Sequence, residues 1–316
     1  MIVRWRLDEL PDALAELGIV RPFVVAGPRW RGLDLPAHAG WWDEVPSARI
    51  EAPAEADGLL AIGGGSAIDT AKAASARTGL PVVSVPTTYS GAEWSSGFGI
   101  RTPDRRMVGG GGGAHVAGIV YDVELTLGLP VPETVGTSLN ALAHCAEALY
   151  VRRRSPEADE QALAGAALVA TALPAVVDRP DDRGARLALL QGAAHAGHAL
   201  GLAGLGLAHA MAQAVGGAYG IPHGAANALC LPPALRFNRT VVPDEIARLG
   251  DAVGGDPVER AAALARRGGF DRLRDLGVPR EGLDAVAEAA AGRRGNLDNP
   301  RVATAAEIRD LFESIW

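Results

Sequence analysis

Lysine is almost missing from this chain. Of its 30 basic residues, Lys72 alone is lysine and the other 29 are arginine, a bias that reads as codon usage and strips arginine counts of functional meaning. Cysteine is nearly as scarce: Cys145 and Cys230 stand far apart with no CxxC pair, which excludes a disulfide framework and a zinc ribbon. A basic surplus is absent too. With 37 acidic residues in 316 the formal net charge is −7, so no nucleic acid is expected as a partner, because phosphate contacts need a basic footprint. The N-terminus, MIVRWRLDELPDAL, is charged too early to hold a secretory h-region, and a cytoplasmic, reducing location is expected. The deepest gap lies between residues 187 and 235, where Asp, Glu, Lys and Arg are all absent although 21% of the chain is charged. Four of the seven histidines, His195, His198, His209 and His223, fall inside it.

That window is tested first as a membrane span, which needs about 20 strongly apolar residues. Here the run is mostly Ala and Gly, broken by imidazoles, Gln213, Gly216-Gly217 and Pro222. Ala and Gly gain little on transfer, and repeated imidazoles are costly in lipid. No membrane is expected; buried helices around a polar site fit better.

The first 130 residues alternate apolar runs with helix-like stretches. Leu7 to Leu17 reads as an amphipathic helix, and Phe23 to Ala26 as a buried strand ending at Gly27-Pro28. A second strand, Gly58 to Ile62, runs into Gly63-Gly64-Gly65-Ser66 and a helix from Ala67. Pro81 to Pro86 is a third strand and Gly118 to Asp122 a fourth. Strand, glycine turn, helix, strand is the grammar of a parallel sheet. The segment between Gly27 and Gly58 has room for one short strand, and Gly109 to Gly113 reads as a flexible surface loop. From Pro132 onward Ala/Leu-rich helical segments replace the strands. The expected organisation is an α/β nucleotide-binding domain over 1–130 and an all-helical domain over 131–316.

Three glycines between a strand and a helix let backbone N–H groups approach an anion, and the helix N-terminus adds partial positive charge. A tight turn needs glycine on steric grounds alone, so the signal gains weight from Thr87, Thr88 and Ser90 after the next strand. Asp69 and Lys72 stand three apart on the helix; either they pair, or Asp69 meets a ribose hydroxyl. Farther on, Asn140 and His144 are four apart and share a helix face, as do His209 and Gln213, with His223 opening the next segment. Three His from separate segments plus an amide oxygen suit a divalent metal; each could equally be a core residue satisfied by a neighbour.

These pieces together resemble the iron-containing alcohol dehydrogenase superfamily, with its dehydroquinate-synthase-like fold. The matching stretches are GGGSAIDTAK (63–72), PTTYSGAE (86–93), YDVELTLGLP (121–130), LNALAHCAEALY (139–150) and HAMAQAVGGAYGIPHGAANAL (209–229). With NPRVATAAEIRDLF (299–312) they look most like the maleylacetate reductase branch. The resemblance implies a dinucleotide, NAD or NADP, on Gly63, Gly64, Gly65, Ser66 and Asp69, with Thr87, Thr88 and Ser90 lining it. The family's metal ligands, for Fe or Zn, fall on Asn140, His144, His209 and His223. Asn140 replaces a carboxylate, and Gln213 stands where a further catalytic His would be. The segment over 28–58 looks trimmed, and Gly27 offers no acid to exclude a 2′-phosphate.

The expected function is therefore hydride transfer between NAD(P) and a small oxo- or hydroxy-acid, with His144, His209, His223 and Gln213 as catalytic residues. One alternative is a dehydrogenase tailoring a natural product or ribosomal peptide, oxidising a β-hydroxy acid such as a C-terminal Thr with loss of CO2. Another is a non-redox lyase or an assembly partner that has lost cofactor binding. The resemblance also implies a homodimer.

Overall fold

The computed structural model describes residues 1–103 and 106–316. They divide into two compact units, Met1–Thr88 with Ala92–Gly128, and Tyr89–Gly91 with Leu129–Trp316.

The first unit contains β1 (Ile2–Arg4), α1 (Leu10–Glu16), β2 (Pro22–Ala26), β3 (Gly40–Trp42), β4 (Gly58–Gly63), α2 (Gly65–Thr78), β5 (Val82–Pro86), β6 (Phe98–Arg101), β7 (Met107–Gly111) and β8 (Val116–Val120). Six strands form one sheet in the order β1-β8-β5-β4-β2-β3, every pairing parallel. Strand residues alternate between two cores, as a pleat of period two requires. Val24, Ala26, Leu60, Ile62, Val83 and Val85 pack with Leu10 and Leu14 of α1. Phe23, Val25, Leu59, Ala61 and Val82 pack with Ile68, Ala71 and Ala74 of α2. The chain runs outward from β2 to β3, then returns to the other side of β2 as β4. That reversal is a topological switch point, and ligands of open parallel sheets bind at the carboxyl ends of the strands there. Gly27 and the Gly63–Gly65 turn lie at those ends.

The four expected strands form, and the segment between Gly27 and Gly58 yields one three-residue strand, β3. Two features differ from expectation. The N-terminal Ile2–Arg4 adds a strand beside β8, too short to show a pattern. The glycines from 109 to 111 are not a loop, since they pair antiparallel with Phe98–Ile100 in the β6–β7 hairpin; backbone hydrogen bonding needs no side chain and leaves no periodicity to read.

The lone lysine fastens that hairpin. Lys72 on α2, 1% exposed, donates to the carbonyls of Ala92, Ser95 and Gly97 at 2.8, 3.2 and 2.5 Å. Its fourth partner is Asp69, 3.1 Å away, which also accepts from Gly99 N at 3.1 Å. Nearby, buried Glu93 accepts from Tyr121 Oη at 2.7 Å, and burial raises its carboxyl above the ordinary carboxylate value.

The second unit is helical: α3 (Val131–Ala148), α4 (Pro156–Asp178), α5 (Arg183–Ala203), α6 (Leu207–Tyr219), α7 (His223–Asn238), α8 (Pro243–Val253), α9 (Pro257–Arg267), α10 (Leu283–Ala291), α11 (Arg294–Leu297) and α12 (Ala305–Glu313). From Leu139 to Ala148 every residue of α3 is buried. The charge-free window becomes most of α5, all of α6 and most of α7; α5 and α6 meet at a 101° bend, so they form no straight span. By length and composition alone α4 could cross a membrane. Its Gly165 instead lies where an added Cβ would come within 2.9 Å of Cys145 Sγ and 3.0 Å of Gly192 O, the close packing of a core helix.

Replacing Lys72 with Met leaves Asp69 and three carbonyls without their cation; a loss of about 3–5 kcal/mol in urea denaturation is expected, and a change under about 1 kcal/mol refutes the anchoring role. Because Glu93 ionises at its ordinary value in the unfolded chain but higher in the folded one, its contribution to stability declines as pH rises past that ordinary value. The stability of Glu93→Gln, measured from pH 4 to 8, should therefore depend less on pH than the parent's; equal slopes would reject this.

Candidate active site

Each unit carries part of the expected machinery. In the first, parallel pairing sets Gly63 opposite Pro86, and Thr87 N donates to Gly63 O at 3.0 Å. The turn after β4 is thereby pinned to the end of β5. Gly63 has φ +150°, and a Cβ on Gly64 would stand 2.8 Å from Thr88 Cγ2. Gly64 is the N-cap of α2, which has no side-chain cap, so the helix presents its N-terminus at the sheet's carboxyl edge. Thr88 Oγ1 is buried and meets no hydrogen-bond partner among the described residues. A glycine cradle, a bare helix N-terminus and an orphaned hydroxyl fit a dinucleotide pyrophosphate. Gly63, Gly64, Gly65, Ser66, Thr87 and Thr88 are brought together there.

Asp69 is not part of that cradle. Its carboxylate is engaged by Lys72 and Gly99 N, with Arg101 at 3.9 Å, so it anchors the hairpin and the ribose alternative is corrected. Ser90 belongs to the second unit. Its carbonyl accepts from Asn140 Nδ2 at 2.8 Å, and its buried Oγ meets no partner among the described residues.

In the second unit, Gly136 on α3 and Gly224 on α7 touch so closely that a Cβ on Gly224 would lie 2.5 Å from Gly136 C. This contact sets His223, the first residue of α7, beside Asn140, one turn beyond Gly136. The α6 helix brings His209 to the same place. The His144 and His209 rings stack with centroids 4.6 Å apart, and His223 lies 5.7 Å from His209.

Hydrogen bonds fix the orientation of each group. Glu147, fully buried, accepts from His209 N at 3.1 Å and from Nδ1 at 2.6 Å. Because Asn140 Nδ2 donates to Ser90, its Oδ1 faces inward, 3.2 Å from His209 Nε2 and 2.7 Å from Asn227 Nδ2. Both neighbours of His209 are acceptors, so the ring satisfies both when each nitrogen carries hydrogen. Asn227 Nδ2 also lies 3.1 Å from His223 Nε2, which makes that nitrogen an acceptor and leaves the His223 proton on Nδ1.

The expected ligands Asn140, His144, His209 and His223 do meet. The stacked rings of His144 and His209 are nearly parallel, at 13°, and do not converge on a point. The lone pairs of Asn140 Oδ1 and His223 Nε2 are taken by one Asn227 amide. No group of three His, Cys, Asp or Glu among the described residues is placed to hold a metal ion. Gln213, one turn beyond His209, accepts from Arg293. His195 pairs with Gln161 at 2.7 Å and His198 lies 3.9 Å from Glu157, in keeping with packing roles.

Sequence reasoning missed three contributors. Glu147 stands three residues after His144 on the same helix face, a legible signal. Asn227 lies four after His223, equally legible. Arg186, buried and bonded to Tyr89 Oη at 3.0 Å and Leu129 O at 3.3 Å, holds the Tyr89–Gly91 segment in the second unit and carries no sequence signal. Glu147→Gln would turn an amide N–H2 toward a His209 N–H, and a loss of roughly 2–3 kcal/mol in a denaturant midpoint is expected; a loss below about 0.5 kcal/mol overturns the Glu147–His209 coupling.

Comparison with known proteins identifies the family. Residues 134–316 match the model of the Fe-containing alcohol dehydrogenase family C-terminal region, and residues 46–112 match that of iron-containing alcohol dehydrogenase. The maleylacetate reductase of Rhizobium sp. (strain MTP-10005) is 39% identical, across 96% of this chain and 91% of the relative. Maleylacetate reductase 1 of Rhodococcus opacus is 38% identical, across 83% of this chain and 73% of the relative. The crystal structure of maleylacetate reductase from Rhizobium sp. strain MTP-10005 superposes with a TM-score of 0.87 at 32% identity, covering 100% of this chain and 95% of that one. The chain belongs to the iron-containing alcohol dehydrogenase family and is one of its NAD(P)-dependent reductases.

Proposed function

We propose that this enzyme reduces an unsaturated oxo-dicarboxylate of the maleylacetate type, with Asn140, His144, His209 and His223 acting without a metal ion. The observation that carries this reading is the amide and imidazole network, in which the site offers N–H donors where a cation would otherwise be held. Relatives named maleylacetate reductase support the substrate class.

The bound nicotinamide supplies a hydride. Everything else falls to the chain. His209, tied to Glu147 through Nδ1 and to Asn140 through Nε2, holds the network in one orientation in a buried setting where electrostatic effects are strong. Asn227 fixes the tautomer of His223, whose Nδ1 holds the proton. His223 is part-exposed while His144 and His209 are buried, and it opens α7, where the helix end favours developing negative charge. It therefore donates to the oxyanion or enolate formed as hydride arrives. Gln213 has no titrating group and takes no proton-transfer role.

For the cofactor, β2 is followed by Gly27, without a carboxylate to repel a 2′-phosphate. Arg29 follows, its Nη2 3.5 Å from Thr87 Oγ1, and this favours acceptance of NADPH as well as NADH.

The test is oxidation of NADPH and NADH at 340 nm with maleylacetate, in the presence of EDTA. Turnover is expected with both cofactors, and His223→Phe should lower kcat by about 100-fold or more while cofactor binding, read by NADPH fluorescence, persists. Absence of turnover with either cofactor, or activity that needs added Fe or Zn, overturns the reading.

A further inference from the structure

The second unit has a cavity of about 450 Å³ that the catalytic network does not use, lined by Arg153, Leu205, Gln213, Arg293, Arg294 and Asp298 among others. Three arginines and one aspartate are among the lining residues, and the carboxylate is committed: Asp298 pairs with Arg294 at 2.6 Å. Arg293 stands apart from the chain's many arginine–carboxylate pairs. Its contacts are Gln213 Oε1 at 3.4 Å and the Gln213 carbonyl at 3.3 Å, both long. Its Nε is buried and meets no partner among the described residues. Burial lowers the guanidinium's pKa, and no acidic neighbour offsets it.

The position of Arg293 is set by the backbone. It lies between α10 and α11, and a Cβ on Gly295 would come within 2.4 Å of Gly206 O, the residue just before α6. A Cβ on Gly206 would in turn lie 3.1 Å from the Glu147 carboxyl. Two glycine contacts thus seat the Arg293 segment directly against the start of the helix that carries His209 and Gln213. The guanidinium has no carboxylate partner among the described residues, and its planar fork suits pairing with one.

We propose that Arg293, steadied by Gln213, recognises a carboxylate of the substrate in this cavity and so restricts the enzyme to acids. The proposal rests on the oxo-acid reading above and gives Gln213 a part that needs no titration: its side-chain and backbone oxygens hold the guanidinium.

Maleate, an unreactive dicarboxylate, tests this by calorimetric titration of the NADP-loaded enzyme. The parent protein is expected to bind maleate competitively with maleylacetate. Arg293→Met should weaken maleate by about 10- to 100-fold, the range a charge-assisted pair contributes, and raise KM for maleylacetate in step, while NADPH affinity and the melting temperature hold. Arg293→Lys keeps the charge but not the fork and should recover only part of the loss; it serves also if the Met variant does not fold. Equal maleate affinity in the parent and either variant overturns the proposal, and so does inorganic phosphate competing as well as maleate, since that marks a general anion site. Maleate binding that depends on Arg293 without turnover of maleylacetate would sink the reductase reading and leave the carboxylate site standing.

Discussion

One buried carboxylate governs the chemistry of the helical unit. Glu147 has no exposure, and its two oxygens both accept from His209. A carboxylate in so dry a place is tolerable only when its acceptors are filled. Filling them turns the His209 ring so that Nε2 meets Asn140, whose amide is already oriented by Ser90. Asn227 and then His223 take their orientations from Asn140. Five side chains from three helices thus hold one arrangement of protons, and the arrangement propagates outward from Glu147 to the part-exposed ring of His223.

The helices can exchange these bonds because little side-chain bulk separates them. Gly136 meets Gly224, Gly165 meets Gly192, and Gly206 meets Gly295. The glycine and alanine that weigh against a membrane span in the charge-free window are also what allow the helices to approach until their polar groups touch. The absence of charge there has a matching explanation. A charged group in such close contacts would need a partner, and the two that the site region does bury, Glu147 and Arg186, both have theirs.

How much of this could be read beforehand depended on whether the signal was local. Apolar runs of strand length gave β2, β4, β5 and β8, and the glycine turn marked the cradle at the end of β4. The four-residue spacings of Asn140 with His144, and of His209 with Gln213, put each pair on one helix face, as α3 and α6 do. The β6–β7 hairpin was hidden because glycine-rich backbone pairs without leaving a pattern. Asp69 was ambiguous because its partners at Gly99 and Arg101 lie some 30 residues away. The PTTYSG stretch looked like one lining, yet Tyr89–Gly91 is bonded to α3 and α5 while Thr87 and Thr88 stay with the sheet. The ligand spacing suggested a metal, and only the coordinates show one Asn227 amide already satisfying two of the acceptors.

Lys72 has a consequence outside folding. It carries the chain's only ε-amino group, and the bonds that fasten the hairpin also remove that group from solvent. Acylating reagents, aldehyde cross-linkers and enzymes that modify lysine therefore meet a surface with no lysine amine to attack. Surface positive charge resides in guanidinium groups instead, which hold their protons beyond the range where lysine-rich proteins discharge. Toward amine chemistry, the folded protein is inert along its side chains.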